Sequence, residues 1–480
     1  MSAVKRGSSR LPLSSAEFES LARQIAGLCA GYLEDLDSRP IAPVSSGAAL
    51  DKLFAQPWPE QPQAAESLRA LREVVANVRA QNARFFGYVL GSGDPVGALA
   101  DLLASVLNQN VTAWRSGPAA VTLEKLVVGW LAEAIGCSGM TGSLCGGGSA
   151  ANLMGLAMAR EAAAPANETG APRGAVYMSA EAHMSIGKSV ALLGIGRKNL
   201  RLIATGADYR MRIDDLERML AADRAAGLPP IAIVATAGTV NTGAIDPLPE
   251  IAALARVRKI WLHVDGAYGA LAALAASEKF RGLELADSVS LDPHKWLYQP
   301  LDCGCLLFRD AAAARRAFCH TGAYAQSLSS DPLEGFQFFD ESLELSRRFR
   351  ALKLWLAMRY HGKTAFRESI ATDLALAQRL ATAIRDSSDM ELLAPVSLSA
   401  ICFRVLNVET RPAASPDEKL NTLNRAVLAA VNRRGRVYLS NAELGGRFAL
   451  RACIVNHRTT EADVDAVLEE VRAAAESMRR

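Results

Sequence analysis

The chain has 480 residues, enough for about three domains or for one large domain with appendages. Hydrophobic residues make up 50%, charged residues 21% and aromatics 6%, an ordinary globular composition that excludes disordered, collagen-like and coiled-coil chains. The 53 basic and 50 acidic residues leave a formal charge of +3, too small an excess to build a nucleic-acid surface.

In chain order, Lys5, Arg6 and Arg10 come first, followed by Leu21–Ala30. Arg23 and Gln24 interrupt that stretch, so no signal peptide is expected. No run reaches the ~18 apolar residues of a membrane helix. Eight scattered cysteines show neither a CxxC pair nor a Cys/His metal spacing. They read as reduced thiols of a cytoplasmic protein without a metal site.

Residues 1–75 read as an N-terminal helical arm, and the prolines at 40, 43, 57, 59 and 62 predict an extended connection over 36–63. A large domain is expected over 76–360 and a small α/β domain over 361–480. Helices are predicted at Val96–Leu107, Val121–Ile135, Ser149–Glu161, Arg212–Ala225 and Leu248–Arg258. Strands are predicted at Ala175–Met178, Leu200–Ala204, Ile231–Thr236, Trp261–Val264, Ser288–Leu291 and Cys305–Phe308. This alternation implies a mostly parallel sheet covered on both faces, with ligands outside the carboxyl ends of its strands. Residues 320–341 carry no clear period and predict a long, functional loop. A long helix over Leu343–His361, a loop at Arg411–Asp417 and a closing helix at Asp463–Met478 follow.

Three segments carry the chemistry. In Gly146–Asn152 (GGGSAAN), glycines precede a helix start at which free N–H groups favour an anion. The segment is not a P-loop, a dinucleotide fingerprint or a GxSxG elbow. In His263–Tyr268 (HVDGAY), Asp265 ends an apolar strand, where a buried carboxylate needs a cationic or hydrogen-bonded partner. In Ser290–Trp296 (SLDPHKW), Lys295 follows a strand end and suits Schiff-base chemistry. His183 lies just past the strand Ala175–Met178, and Thr239 just past Ile231–Thr236. Taken singly, Lys295, Asp265, the glycine turn and His183 each read more readily as a surface, cap, turn or structural position. Their order and spacing together are far more specific.

With these motifs, the sequence resembles the group II pyridoxal-phosphate-dependent amino-acid decarboxylases, close to the aromatic-L-amino-acid type. The likeness runs from Phe85 to the C-terminus. It is supported by Arg84–Tyr88 (RFFGY), Gly117–Glu124 (GPAAVTLE), Asp302–Phe308 (DCGCLLF) and Ser346–Trp355 (SRRFRALKLW). The resemblance implies fold type I, with a mostly parallel seven-stranded sheet in the large domain. It also implies pyridoxal 5'-phosphate (PLP) as cofactor, and a homodimer with the active site at its interface. Lys295 would hold PLP as a Schiff base, Asp265 would pair with its ring nitrogen, Ala267 would pack on the ring and His183 would stack on the other face. Gly147, Gly148 and Ser149 would hold the phosphate with His294 nearby, and Thr239 would sit beside the ring oxygen or the substrate. Decarboxylation of an aromatic or aromatic-like L-amino acid would then run through a quinonoid to the amine and CO2.

The sequence departs from the family pattern in two places. Asp292 stands where aromatic decarboxylases carry a phosphate-contacting Asn, and a carboxylate beside a phosphate is unfavourable unless it is protonated or turned away. Counting back from Arg347, the loop Tyr that protonates Cα falls on Phe338, which cannot donate a proton. In related plant enzymes Phe there accompanies aldehyde formation by decarboxylation-coupled oxidative deamination, so an aldehyde synthase is the alternative. Tyr324 is a substitute donor. Tyr88 and Val89 are expected to line the substrate pocket, with Asn110 and Thr112 where the family has contacts to the partner subunit. A fold-type-I aminotransferase, using Arg447 or Arg451 for the substrate carboxylate, is a further rival.

Overall fold

The computed structural model describes residues 13–42, 45–320, 329, 331–406 and 416–478. Helix α1 (Ser15–Asp35) opens with a capping box in which the Glu17 N–H donates to Ser14 Oγ and the Ser14 N–H donates to Glu17 Oε2. It buries none of its residues. The proline-rich stretch is not wholly extended, because a short helix α2 (Gly47–Phe54), capped by Ser46, forms between its prolines. Helix α3 (Ala64–Asn77) completes the arm.

The body begins with α4 (Pro95–Leu107) and α5 (Pro118–Ala134), both with Pro in the first turn, where its missing N–H costs nothing. Strand β1 (Thr141–Cys145) follows and was not expected from the sequence. Its residues, TGSLC, have weak strand propensity, and its pairing with β7 (Gly304–Phe308) supplies the order instead. The intervening elements are α6 (Gly148–Ala163), β2 (Ala175–Ser179), α7 (Met184–Leu192), β3 (Leu200–Ile203), α8 (Ile213–Ala225), β4 (Pro230–Thr236), α9 (Leu248–Arg258), β5 (Trp261–Asp265), α10 (Ala273–Ala276), β6 (Ser288–Leu291) and α11 (Pro293–Trp296). The seven strands lie in the order β1-β7-β6-β5-β4-β2-β3, and only β7 runs antiparallel to its neighbours. Both faces are buried with period two. On β4, Ile233 and Ala235 face one core while Ala232 and Val234 face another under α6 and α7.

After helix α12 (Ala311–Phe318), residues 331–350 form turns and a short 3-10 helix, Phe338–Asp340. The long helix α13 (Ala351–Arg385) starts at Ala351, not at Leu343 as the periodicity predicted. Just before it, Arg347 and Arg350 are tied down by long-range ion pairs. Gly362, at φ 77°, breaks α13 in its middle, a conformation that favours glycine. The remaining chain forms β8 (Met390–Leu392), β9 (Ala400–Val405), α14 (Pro416–Arg434), β10 (Ser440–Leu444), β11 (Arg447–Cys453) and α15 (Glu461–Ser477). The antiparallel sheet β10-β11-β9-β8 shares a separate core with α14 and α15. Residues 411–415 of the predicted Arg411–Asp417 loop, and Tyr324, lie outside the described residues.

Among the described residues no helix is long and apolar enough to cross a membrane, and no group of His, Cys, Asp or Glu is arranged to hold a metal.

Candidate active site

The adjacent parallel strands β5 and β6 deliver the two central residues. Asp265 is the last residue of β5, and β6 runs into Asp292 and the single turn α11 that carries Lys295. Both therefore emerge at the carboxyl edge of the sheet, where an α/β fold binds its ligands. On the neighbouring element, Gly147 at φ 121° forms the N-cap of α6 and turns the chain off β1. The glycines here are spatial requirements. A Cβ on Gly148 would lie 2.7 Å from Ala267 Cβ and 3.0 Å from Asp292 Oδ2, and one on Gly304 would lie 2.4 Å from Gly147 Cα. Gly147, Gly148, Ala267, Asp292 and Lys295 are thereby brought to one place, with Ser149 exposed in the first turn of α6.

Asp265 is buried, and three donors converge on its carboxylate. Asn152 Nδ2 donates to Oδ2 at 2.9 Å, while Ser290 Oγ at 3.1 Å and the Ala267 N–H at 3.2 Å donate to Oδ1. Such a set suits an ionised carboxylate. Lys295 Nζ, part-exposed, sits 3.0 Å from Asp292 Oδ2, and His294 Nε2 lies 3.6 Å from the same oxygen. Asp292 Oδ1 is buried with no partner. His294 is fixed by its Nδ1, 2.7 Å from the Cys303 carbonyl, and burial holds its pKa below the ordinary value.

His183 caps α7 and is half-buried. Desolvation lowers its pKa, the charge of Asp265 opposes that and the charge of Lys295 reinforces it, so the three side chains share one electrostatic neighbourhood. Three buried thiols border the cradle. Desolvation pushes Cys145 up to about 12 and raises Cys303 and Cys305 as well, which leaves them poor nucleophiles.

The other expected positions differ in burial and in partners. Thr239 is fully buried, and its hydroxyl is taken up inside the turn after β4, 2.8 Å from Thr242 Oγ1 and accepting from the Ala244 N–H at 3.1 Å. It is a pin of that turn, not an open crevice contact. Phe338 is also fully buried. Its N–H donates to the Thr112 carbonyl at 2.8 Å, its ring meets Phe336 edge-on at 4.8 Å, and the Arg347 guanidinium lies 4.2 Å above it. Counting back along a stretch of unknown loop length put this core residue in a loop position it does not occupy. Val89 packs against the main core, while Tyr88 is 54% exposed with its hydroxyl 3.3 Å from that of Tyr438. Asn110 Oδ1 accepts from the Arg347 N–H at 2.9 Å. Arg447 starts β11. Arg451, on the same strand, is buried and tied to the carbonyls of Asn241 and Tyr88, with Nη2 left without a partner.

Two polar residues linked to Asp265 escaped the sequence reading although both lie inside quoted motifs, Asn152 at the end of GGGSAAN and His263 at the start of HVDGAY. His263 Nε2 lies 2.9 Å from Asn152 Oδ1, a contact spanning more than a hundred residues that local pattern cannot reveal.

The residues present fit PLP. They combine a primary amine, a hydrogen-bonded carboxylate, an imidazole and a glycine cradle with no room for a Cβ at Gly148, with one buried oxygen, Asp292 Oδ1, left without a partner. Comparisons with known proteins agree. Residues 50–406 match the pyridoxal-dependent decarboxylase conserved domain. An aromatic-L-amino-acid decarboxylase of Bacillus atrophaeus is 33% identical over 98% of both chains. Among solved structures, Oryza sativa TDC with PLP and tryptamine superposes with a TM-score of 0.91 at 30% identity, covering 98% of this chain and 100% of that one. The 4-hydroxyphenylacetaldehyde synthase of Rhodiola rosea superposes with a TM-score of 0.87 at 29% identity, covering 97% and 99%. The chain belongs to the pyridoxal-dependent decarboxylase family and is a PLP-dependent carboxy-lyase of fold type I.

Proposed function

We propose that this protein removes the α-carboxylate of an aromatic or aromatic-like L-amino acid and releases the amine and CO2. The observation that carries this reading is the convergence of Asp265 and Lys295 from adjacent strand ends on the mouth bordered by His183. When bound, PLP supplies a carbonyl for amine attachment and a π system that takes up the electrons of the breaking bond. Lys295 Nζ is the group that would hold it covalently, and Asp265 offers a negative charge to its ring nitrogen. Gly147, Gly148 and Ser149 present the N–H groups and dipole of the α6 start to its phosphate, with His294 beside them. Ala267 would pack on one face of its ring, and His183 would stack on the other. Tyr88 and Val89 supply the substrate side.

The aldehyde reading rested on Phe338 occupying the loop position, and burial of that ring withdraws its support, so the amine is the favoured product. The Rhodiola relative keeps the alternative worth measuring. The test is to incubate the PLP-loaded protein in air with the twenty amino acids plus dopa and 5-hydroxytryptophan, and to identify products by mass spectrometry. An amine one carboxyl lighter than its parent is expected. An aldehyde with ammonia and peroxide would overturn the amine reading. Phe338→Tyr should leave the product ratio unchanged.

The same reading makes the active unit a homodimer. Helix α1 leaves Phe18, Ile25 and Leu33 exposed, and α4 leaves Leu99, Leu102 and Val106 exposed, apolar side chains that a partner subunit would cover. Sedimentation should give a dimer whose dilution releases cofactor. A stable, active monomer would rule this out.

A further inference from the structure

Behind Asp265 runs a line of buried polar side chains with a fixed direction. Asn152 Nδ2 is committed twice as a donor, to Asp265 Oδ2 at 2.9 Å and to Ser185 Oγ at 3.0 Å. The opposite amide orientation would set an oxygen against the carboxylate, so Asn152 Oδ1 must accept. Its partner, His263 Nε2 at 2.9 Å, therefore carries the ring proton. Desolvation pushes the His263 pKa down to about 4, so the ring is neutral and Nδ1 is bare. Ser288 Oγ, 2.8 Å away, supplies its hydroxyl proton to Nδ1 while accepting from Trp261 Nε1 at 3.0 Å. A branch leaves Asn152 through Ser185, whose hydroxyl meets His183 Nδ1 at 2.9 Å while the Ser185 N–H donates to the same nitrogen at 3.3 Å. His183 Nδ1 is then an acceptor, and its proton sits on Nε2.

A separate feature shows that the place for the His263 ring is built in. A Cβ on Gly155 would fall 2.6 Å from both Cε1 and Nδ1 of that ring. Asn152 and Gly155 are three residues apart, on one face of α6.

We infer that Asn152 and His263 are positioning residues for the carboxy-lyase reaction: the chain Trp261–Ser288–His263–Asn152 delivers every proton toward Asp265, fixing its carboxylate against the cofactor's ring nitrogen, while the Ser185 branch sets the tautomer of His183. This rests on the proposed role of Asp265. Reversing or cutting the chain would weaken the electron sink without touching substrate.

The test uses ¹⁵N-histidine-labelled holoenzyme, whose six histidines are few enough to resolve. The His263 signal, identified by its loss in His263→Gln, should show a neutral ring protonated at Nε2. In parallel, His263→Leu should lower kcat roughly 10- to 100-fold, the scale seen when outer partners of ligating groups are removed. KM should barely move, and the absorption maximum of the bound cofactor should shift. His263→Gln keeps a donor toward Asn152 and should restore most of both. An imidazolium, an Nδ1–H ring, or equal losses in Leu and Gln would overturn the relay. Failure of the wild-type protein to take up PLP would instead overturn the reading of Asp265 itself, whatever the His263 tautomer.

Discussion

Two ion pairs in this protein share the same kinds of charge and differ in setting. Arg347 and Glu124 are 1% and 0% exposed. Arg347 also donates to the carbonyls of Val111 and Leu144, while Glu124 Oε1 accepts from the Leu144 N–H. Lys295 and Asp292 lie 3.0 Å apart at the crevice, with the lysine 18% exposed. Both pairs leave polar atoms over, Glu124 Oε2 and Arg347 Nε in one, Asp292 Oδ1 in the other. The presence of unsatisfied atoms therefore does not separate them. Access does, together with the planar fork of arginine, which ties several segments at once, against the single mobile amine of lysine. The first pair joins segments, and the second holds the lysine proposed to carry the cofactor.

Replacing each cation in turn tests that division. Lys295→Ala should cost the largest effect, a loss of about 10³-fold or more in turnover, with the thermal midpoint of the cofactor-free protein little changed. Arg347→Met should do the reverse. It leaves Glu124 charged and buried, and should destabilise the fold by about 3–5 kcal/mol, read as a drop in denaturation midpoint, with kcat retained in the folded fraction. If Arg347→Met keeps its stability and loses turnover, the division is broken.

A third buried carboxylate provides a case without a cation. Asp373 accepts from the Tyr298 hydroxyl at 2.9 Å and the Asn456 N–H at 3.1 Å, and desolvation raises its pKa from 3.8 to about 7. Between those values the folded chain holds a proton that the unfolded chain has lost, so this site makes stability fall as pH rises from about 4 to about 7. Asp373→Asn removes that slope. Relative to wild type it should gain about 1–3 kcal/mol between about pH 5 and pH 8, measured as the difference in urea midpoints. A parallel pair of curves would refute it. The smallest effect should come from Asp292→Asn, which removes a negative charge beside the phosphate cradle. Cofactor should then bind several-fold more tightly to the cofactor-free protein by fluorescence titration, and weaker binding would mean that the Asp292–Lys295 contact prepares the amine.

The sequence made the reacting pair legible because each residue sits where a strand stops, and strand ends are marked locally by Pro293 and Gly266. It also marked the segment Ser346–Trp355 without revealing why. In the fold, its Arg347, Arg350 and Lys353 clasp Glu124, Asp302 and Asp101, carboxylates from three distant parts of the chain. Asn152, His263 and β1 were hidden for the same reason, since their order comes from pairing across the sheet and not from periodicity. Phe338 was misplaced because a count along the chain ignores how a loop folds back, and here residue 338 returns to the core beside Thr112.

One helix, α6, carries the start of the cradle at Gly148, the amide hub at Asn152 and the clearance for His263 at Gly155. With a rise of about 1.5 Å per residue, Gly148 and Asn152 are about 6 Å apart along a rigid axis. On the proposed cofactor placement the helix would work as a gauge, fixing the distance between the place for an anion and the place for a ring nitrogen. A one-residue insertion between the two marks would lengthen that distance and turn them about 100° out of line.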